Sequence, residues 1–233
     1  MALHGKKYNE AKALIEKEAY SLDEAISLLK KTSTVKFDAT CEVHFNLGVD
    51  PKQADQNLRT SVNLPNGTGK DVRVVAFVDD SEAKAAKDAG AVEAGTENLI
   101  EKIEKGWTDF DVAVASPDQM KSLGKVAKTL GQKGLMPNPK SGTVTPDVVK
   151  VIGELKKGKV ELRVDKEGNL HTIFGKISFD TDKLKENLLT LIKTVMDIKP
   201  STSKGTYVRS LTLATTMGPA VPVDISAATT EAK

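Results

Sequence analysis

Aromatic residues make up only 4% of this 233-residue chain, too few for a protein that holds single strands by stacking base after base on rings. Its one cysteine, Cys41, has no partner for an intrachain disulfide. No signal-peptide pattern and no apolar run of membrane-spanning length appears, so a reducing, cytoplasmic setting without a membrane partner is expected. Three isolated histidines and no metal-ligand spacing leave no constellation for nucleophilic or metal chemistry, and no cofactor is expected. The net charge of +2 excludes little, because any polyanion site must come from local clustering of the 34 Lys and Arg. If the partner is RNA, shape and backbone contacts are favoured over stacking.

What is present is most deliberate near the end of the chain. In Gly205–Pro222, GTYVRSLTLATTMGPAVP, Tyr207, Leu211 and Leu213 fall on one side of an extended strand, and Ser210 and Thr212 on the other. The segment breaks at Thr215-Thr216-Met217-Gly218-Pro219, where two hydroxyls, a thioether and a glycine suit a bulky, hydrogen-bonding partner. A plain strand end and turn is the competing reading. Phe37–Leu47 repeats the pattern: Phe37, Ala39, Cys41, Val43, Phe45 and Leu47 take the odd positions, while Thr40, Glu42, His44 and Asn46 take the even ones. That predicts a strand with one wet face, an inert core cysteine, and Glu42 and His44 as a solvated pair.

Elsewhere, His4, Lys6 and Lys7 lie in an expected mobile basic arm before a helix over 9–18, and Ser21-Leu22-Asp23-Glu24 has the form of a capping box that opens a second helix. Residues 50–70 lack a helical stripe and end in a turn cluster that reads as a domain boundary. Val72–Val78, VRVVAFV, is apolar enough to be buried on both faces of a parallel sheet. Helix, strand, helix and strand follow up to Phe110–Ala115, with Ser116-Pro117-Asp118 opening another helix; the spacing predicts a doubly wound α/β arrangement. The glycine fingerprint of a dinucleotide site is missing, and Asp79-Asp80 would repel a pyrophosphate. Lys121–Thr145 interleaves five lysines with glycines and prolines, and reads equally as a phosphate cradle or as a solvated face. A helix is expected over 146–157 with Thr145 as its cap, then a hairpin over 159–174 with His171 near its tip. A helix striped by Leu184, Leu188, Leu191 and Val195 follows, and residues 224–233 read as a disordered tail.

Half-wet strands thus flank a contiguous doubly wound stretch. The fold class expected is α/β: a discontinuous α+β domain with a split β-α-β sheet, residues 1–67 and 159–233, and an inserted Rossmann-like α/β domain, residues 68–158. The paired crossings, with Gly158 in the second, suggest a hinge.

The segments HGKKY, KFDAT with EVH, DQNLR, GWTDFDVAVASPD, GLMPNPKSGTV and KGTYVRSLTLATTMGP stand in the order and spacing of the bacterial-type ribosomal protein L-one family of the large subunit's mobile stalk, which this sequence closely resembles along essentially its whole length. The resemblance implies a non-enzymatic protein that binds large-subunit ribosomal RNA, assists release of deacylated transfer RNA from the exit site, represses its own messenger RNA through the leader, and is a monomer outside the ribosome. It implies RNA contacts by Lys36, Phe37, Thr40, Glu42, Ser210, Thr216, Met217 and Gly218, with Lys166, Gly168 and His171 more loosely assigned. Lysines would pair with phosphates, hydroxyls with 2′-hydroxyls, Phe37 and Met217 would give apolar contact, and Gly218 would admit the backbone. Glu42 is tolerable only where it accepts from a hydroxyl or base amine. Gln53 stands where relatives often carry a basic residue. The competing reading from another class is an enzyme that takes a phosphorylated metabolite into the central α/β domain, with the Gly134–Gly142 loop as clamp; a third is a protein-only assembly module.

Overall fold

Ser21 accepts from the Glu24 amide and Glu24 accepts from the Ser21 amide, both at 3.4 Å, so the capping box starts a helix as its chemistry requires. The computed structural model describes residues 5–53 and 55–232. In chain order the elements are α1 Lys6–Ala13, α2 Leu22–Thr32, β1 Thr40–Leu47, β2 Arg59–Asn63, β3 Val74–Phe77, α3 Asp80–Asp88, β4 Glu93–Ala94, α4 Glu97–Glu104 and β5 Val112–Ala115. After two short 3-10 turns come α5 Ala127–Gln132, a 3-10 turn at Pro139–Ser141, α6 Val148–Lys157, β6 Lys159–Arg163, β7 Asn169–Lys176, α7 Thr181–Asp197, β8 Val208–Thr215, β9 Val221–Pro222 and α8 Ile225–Glu231. The fold is α/β, and it divides into two compact units: one runs up to Gly69 and resumes at Val160, the other is Lys70–Lys159.

In the discontinuous unit an antiparallel sheet has the order β7-β1-β8-β9. The alternation of β1 is realised: Cys41, Val43, Phe45 and Leu47 are buried, with Leu170, Phe174, Leu211 and Leu213 from the neighbouring strands. They form one core with Leu22, Ile26 and Leu29 of α2 and with Leu184, Leu188, Leu191 and Val195 of α7. Burial pushes the Cys41 thiol up to about 12, so it is inert as expected. Asn187, fully buried in α7, donates to Gly67 O at 2.9 Å and Phe174 O at 2.8 Å and accepts from the Asn66 amide at 3.0 Å, which ties the 64–67 turn to the sheet.

Several expectations need correction here. The first helix spans Lys6–Ala13 rather than 9–18, so Lys6 and Lys7 are helical; His4 lies outside the described residues. Residues 59–63 form a strand that pairs with β6, and the hairpin at 159–174 closes only at the Val164–Leu170 bridge, its arms diverging into different sheets. The segment expected to be a disordered tail is helical in α8: Asp224 accepts from the Ser226 and Ala227 amides, and Ala228 is buried.

In the unit of residues 70–159 the parallel sheet has the order β4-β3-β5. All four residues of β3 are buried, Val75 and Phe77 against Leu99, Ile103 and Leu130, Val74 and Ala76 against Ala86, Ile152 and Leu155. Helices on both faces make it doubly wound. The helix expected after Ser116-Pro117-Asp118 is instead two 3-10 turns and the short α5. At α6 the N-cap is Asp147, while Thr145 Oγ1 accepts from the Asp147 amide.

Candidate nucleic-acid interface

The face of the β7-β1-β8 sheet away from the core carries the polar half of each alternation, and the register sets these side chains in rows. Lys176, Thr40 and Thr216 stand at one end; next come Ile173, Glu42 and Ala214; then His171, His44 and Thr212; then Asn169, Asn46 and Ser210. At about 3.3 Å per residue, β1 from Thr40 to Asn46 gives this face a length of about 20 Å.

The Thr216 end is the most closely built. The Thr216 amide donates to Thr40 O at 3.0 Å, and Thr216 Oγ1 accepts from the Thr40 amide at 3.1 Å. The Lys176 ammonium donates to Thr40 Oγ1 at 2.8 Å. These bonds hold a β-turn over 215–218, closed by the Gly218 amide donating to Thr215 O at 2.8 Å. The turn requires positive φ at its third residue. Met217 supplies it with φ 66°, the one non-glycine residue in that region among the described residues, and it is 75% exposed. Phe37, expected in the inward series of β1, lies in a bend before the strand and is 57% exposed; Lys36 beside it is also exposed. The strand starts only at Thr40, so the alternation that placed Phe37 inside does not reach it.

Two further expectations change. Thr215 faces inward and is buried, so the turn presents one threonine hydroxyl on the wet side rather than two, and that hydroxyl is already bonded to Thr40. Gly218 has a role in the fold itself: a Cβ there would sit 2.2 Å from Thr215 Oγ1.

Along the middle of the face, Glu42 Oε2 lies 3.9 Å from His44 Nε2, and His44 Nδ1 is 2.9 Å from His171 Nδ1, whose other nitrogen is 3.5 Å from Asp165 Oδ2. Burial, and then the neighbouring His171, hold His44 below the ordinary histidine value, although Glu42 pulls it upward. Burial raises the Asp165 carboxyl, but bonds from the Asn169 and Glu167 amides outweigh it and leave that group below the usual carboxylate range. At the far end Ser210 is exposed opposite Asn46, whose side-chain Nδ2 donates to Asn169 Oδ1 at 2.7 Å. Lys166 is exposed on the adjoining turn. Gly168 is buried there with φ 83°, its O accepting from the Leu47 amide at 2.9 Å; a Cβ would meet Leu47 O at 3.0 Å, so this glycine serves the turn.

Thr40, Thr216, Met217 and Gly218 therefore gather at one end of the face, Lys36 and Phe37 lie exposed in the segment that leads into that end, Glu42 lies along the face, and His171, Ser210, Lys166 and Gly168 lie toward the other end. Lys176 escapes sequence reasoning. A bulge sets Cys41 against Gly175 but Glu42 against Ile173, which reverses the parity of β7 and turns Lys176 to the same side as His171. The Gly134–Gly142 loop is not arranged as a phosphate clamp. Its Lys140, Ser141 and Gly142 amides, and that of Thr143, donate to Asn138 Oδ1, Asn138 O, Pro139 O and Asn138 O within the loop.

The model of the Ribosomal protein L1p/L10e family matches residues 29–219, a span that takes in all of the 70–159 unit, residues 29–69 and 160–219 of the other, and every residue of this face. No helix among the described residues is long and apolar enough to cross a membrane.

Proposed function

Because the chain belongs to the Ribosomal protein L1p/L10e family, and so is a structural protein of the large ribosomal subunit rather than an enzyme, we propose that it binds large-subunit ribosomal RNA through the wet face of its antiparallel sheet. The observation that carries this reading is the Met217 turn: an exposed apolar side chain held out in a strained backbone, braced by bonds to Thr40 that leave Phe37 and Met217 free for contact.

The chemistry assigns the parts. Lys36, Lys166 and Lys176 meet phosphates; Ser210 and Thr40 bond 2′-hydroxyls; Phe37 and Met217 pack on sugar and base faces. Thr216 positions the turn, since its hydroxyl is bonded to Thr40. Glu42 accepts from a hydroxyl or base amine, which selects against a bare phosphate at that row. Scarce aromatics suit recognition of a folded RNA by shape. On this reading the protein serves the stalk from which deacylated transfer RNA leaves the exit site, and it represses its own messenger RNA where the leader copies the ribosomal shape. Outside the ribosome it is a monomer in the cytoplasm.

Amide chemical-shift mapping tests the surface. On addition of a large-subunit ribosomal RNA fragment, the largest changes are expected at residues 36–42 and 210–218, with smaller ones at 166–171. Changes confined to residues 70–159 would overturn the assignment.

A further inference from the structure

The described sulfur-containing residues differ sharply in their exposure to solvent. Cys41 is fully buried. Met120 and Met136 are partly buried against the core of their unit, and Met196 is 36% exposed, whereas Met217 is 75% exposed at the tip of the 215–218 turn. Its positive φ and the bonds from Thr216 to Thr40 hold it there, away from any core.

We propose that Met217 is an oxidation site, and that peroxide acting there switches off the RNA contact; the second half rests on the functional reading above. The thioether sulfur attacks one oxygen of hydrogen peroxide, an S–O bond forms as the O–O bond breaks, and the departing hydroxide takes the remaining proton as water. The sulfur loses two electrons and the peroxide gains them. The product is a sulfoxide, which a thiol-dependent sulfoxide reductase returns to the thioether. A polarisable apolar group becomes a strongly polar one at one end of the contact, while the fold, which buries little of this residue, keeps its stability.

The test treats the full chain with limiting hydrogen peroxide and follows three readouts: peptide masses, the melting temperature, and affinity for purified large-subunit ribosomal RNA against a scrambled RNA. The Met217 peptide gains one oxygen before those of Met120, Met136 and Met196, the melting temperature holds, and affinity falls about ten-fold and returns on reduction. The Met217→Leu protein, from whatever affinity it starts, loses none on the same treatment. Earlier oxidation of Met120, Met136 or Met196, full affinity with Met217 oxidised, or an equal loss in Met217→Leu would overturn the inference alone. Untreated protein that fails to prefer the ribosomal RNA would remove the functional reading, and the second half of this inference with it.

Discussion

Replacing Met217 by glycine separates what the fold requires at the 215–218 turn from what a partner requires. With φ 66°, Met217 sits in the left-handed region, where an L residue costs about 1–2 kcal/mol and glycine costs almost nothing. Glycine takes back about 0.4–1 kcal/mol by widening the unfolded ensemble. Because the residue is 75% exposed, removal of its side chain gives up little apolar burial. Met217→Gly should therefore leave stability unchanged or raise it by about 1 kcal/mol, a rise in melting temperature of about 2–4 °C. Affinity for large-subunit ribosomal RNA should nevertheless fall about ten-fold, through loss of the apolar contact. Thermal melts and fluorescence anisotropy on one preparation read both quantities. A lower melting temperature would show that the side chain anchors the fold, and undiminished affinity would show that no partner touches it; either refutes the reasoning.

Other substitutions divide fold from contact in the same way. Thr216→Val keeps the size of the side chain but strips the acceptor from the Thr40 amide, and should cost about 1–2 kcal/mol in a urea titration. Gly168→Ala forces a Cβ to 3.0 Å from Leu47 O at φ 83° and should cost about 1–3 kcal/mol, with RNA affinity per folded molecule preserved. His44 has a folded pKa below its ordinary 6.5, so the unfolded chain binds more protons as pH drops through that value. Its contribution to stability is complete above pH about 6.5 and is lost as pH falls toward the depressed folded value. His171→Gln removes the neighbouring charge and should move the His44 titration upward, as followed by NMR of the imidazole.

The alternation in β1 made the wet and dry faces of the sheet legible, because a period of two with one buried face leaves a clear pattern. It also misled at Phe37, where the pattern begins three residues before the ladder does. Lys176 was hidden by the bulge at Phe174, which changes parity in a way that only the partner strand reveals. The strand RTSVN was missed because its residues are mostly half-buried in a two-stranded pairing with β6, and they show no alternation. The helix ISAATTE reads as a polar tail until its Asp224 cap and the burial of Ala228 are seen, its small side chains allowing close approach to the core. At the proposed site, the sequence pattern puts these residue types at a strand and a turn, whereas which of them brace the fold is seen only in the structure. Thr216 and Gly218 look like surface residues in sequence, yet one is bonded to the neighbouring strand and the other has no room for a side chain.

The most direct test of the central claim is a salt titration of binding by the full chain to a large-subunit ribosomal RNA fragment and to a scrambled RNA of equal length. Three lysine–phosphate contacts predict a slope of log affinity against log salt of about −2 to −3, with a preference for the ribosomal fragment that survives as salt rises. Equal, salt-labile binding to both RNAs would reduce the interaction to lysine electrostatics and contradict recognition by this face.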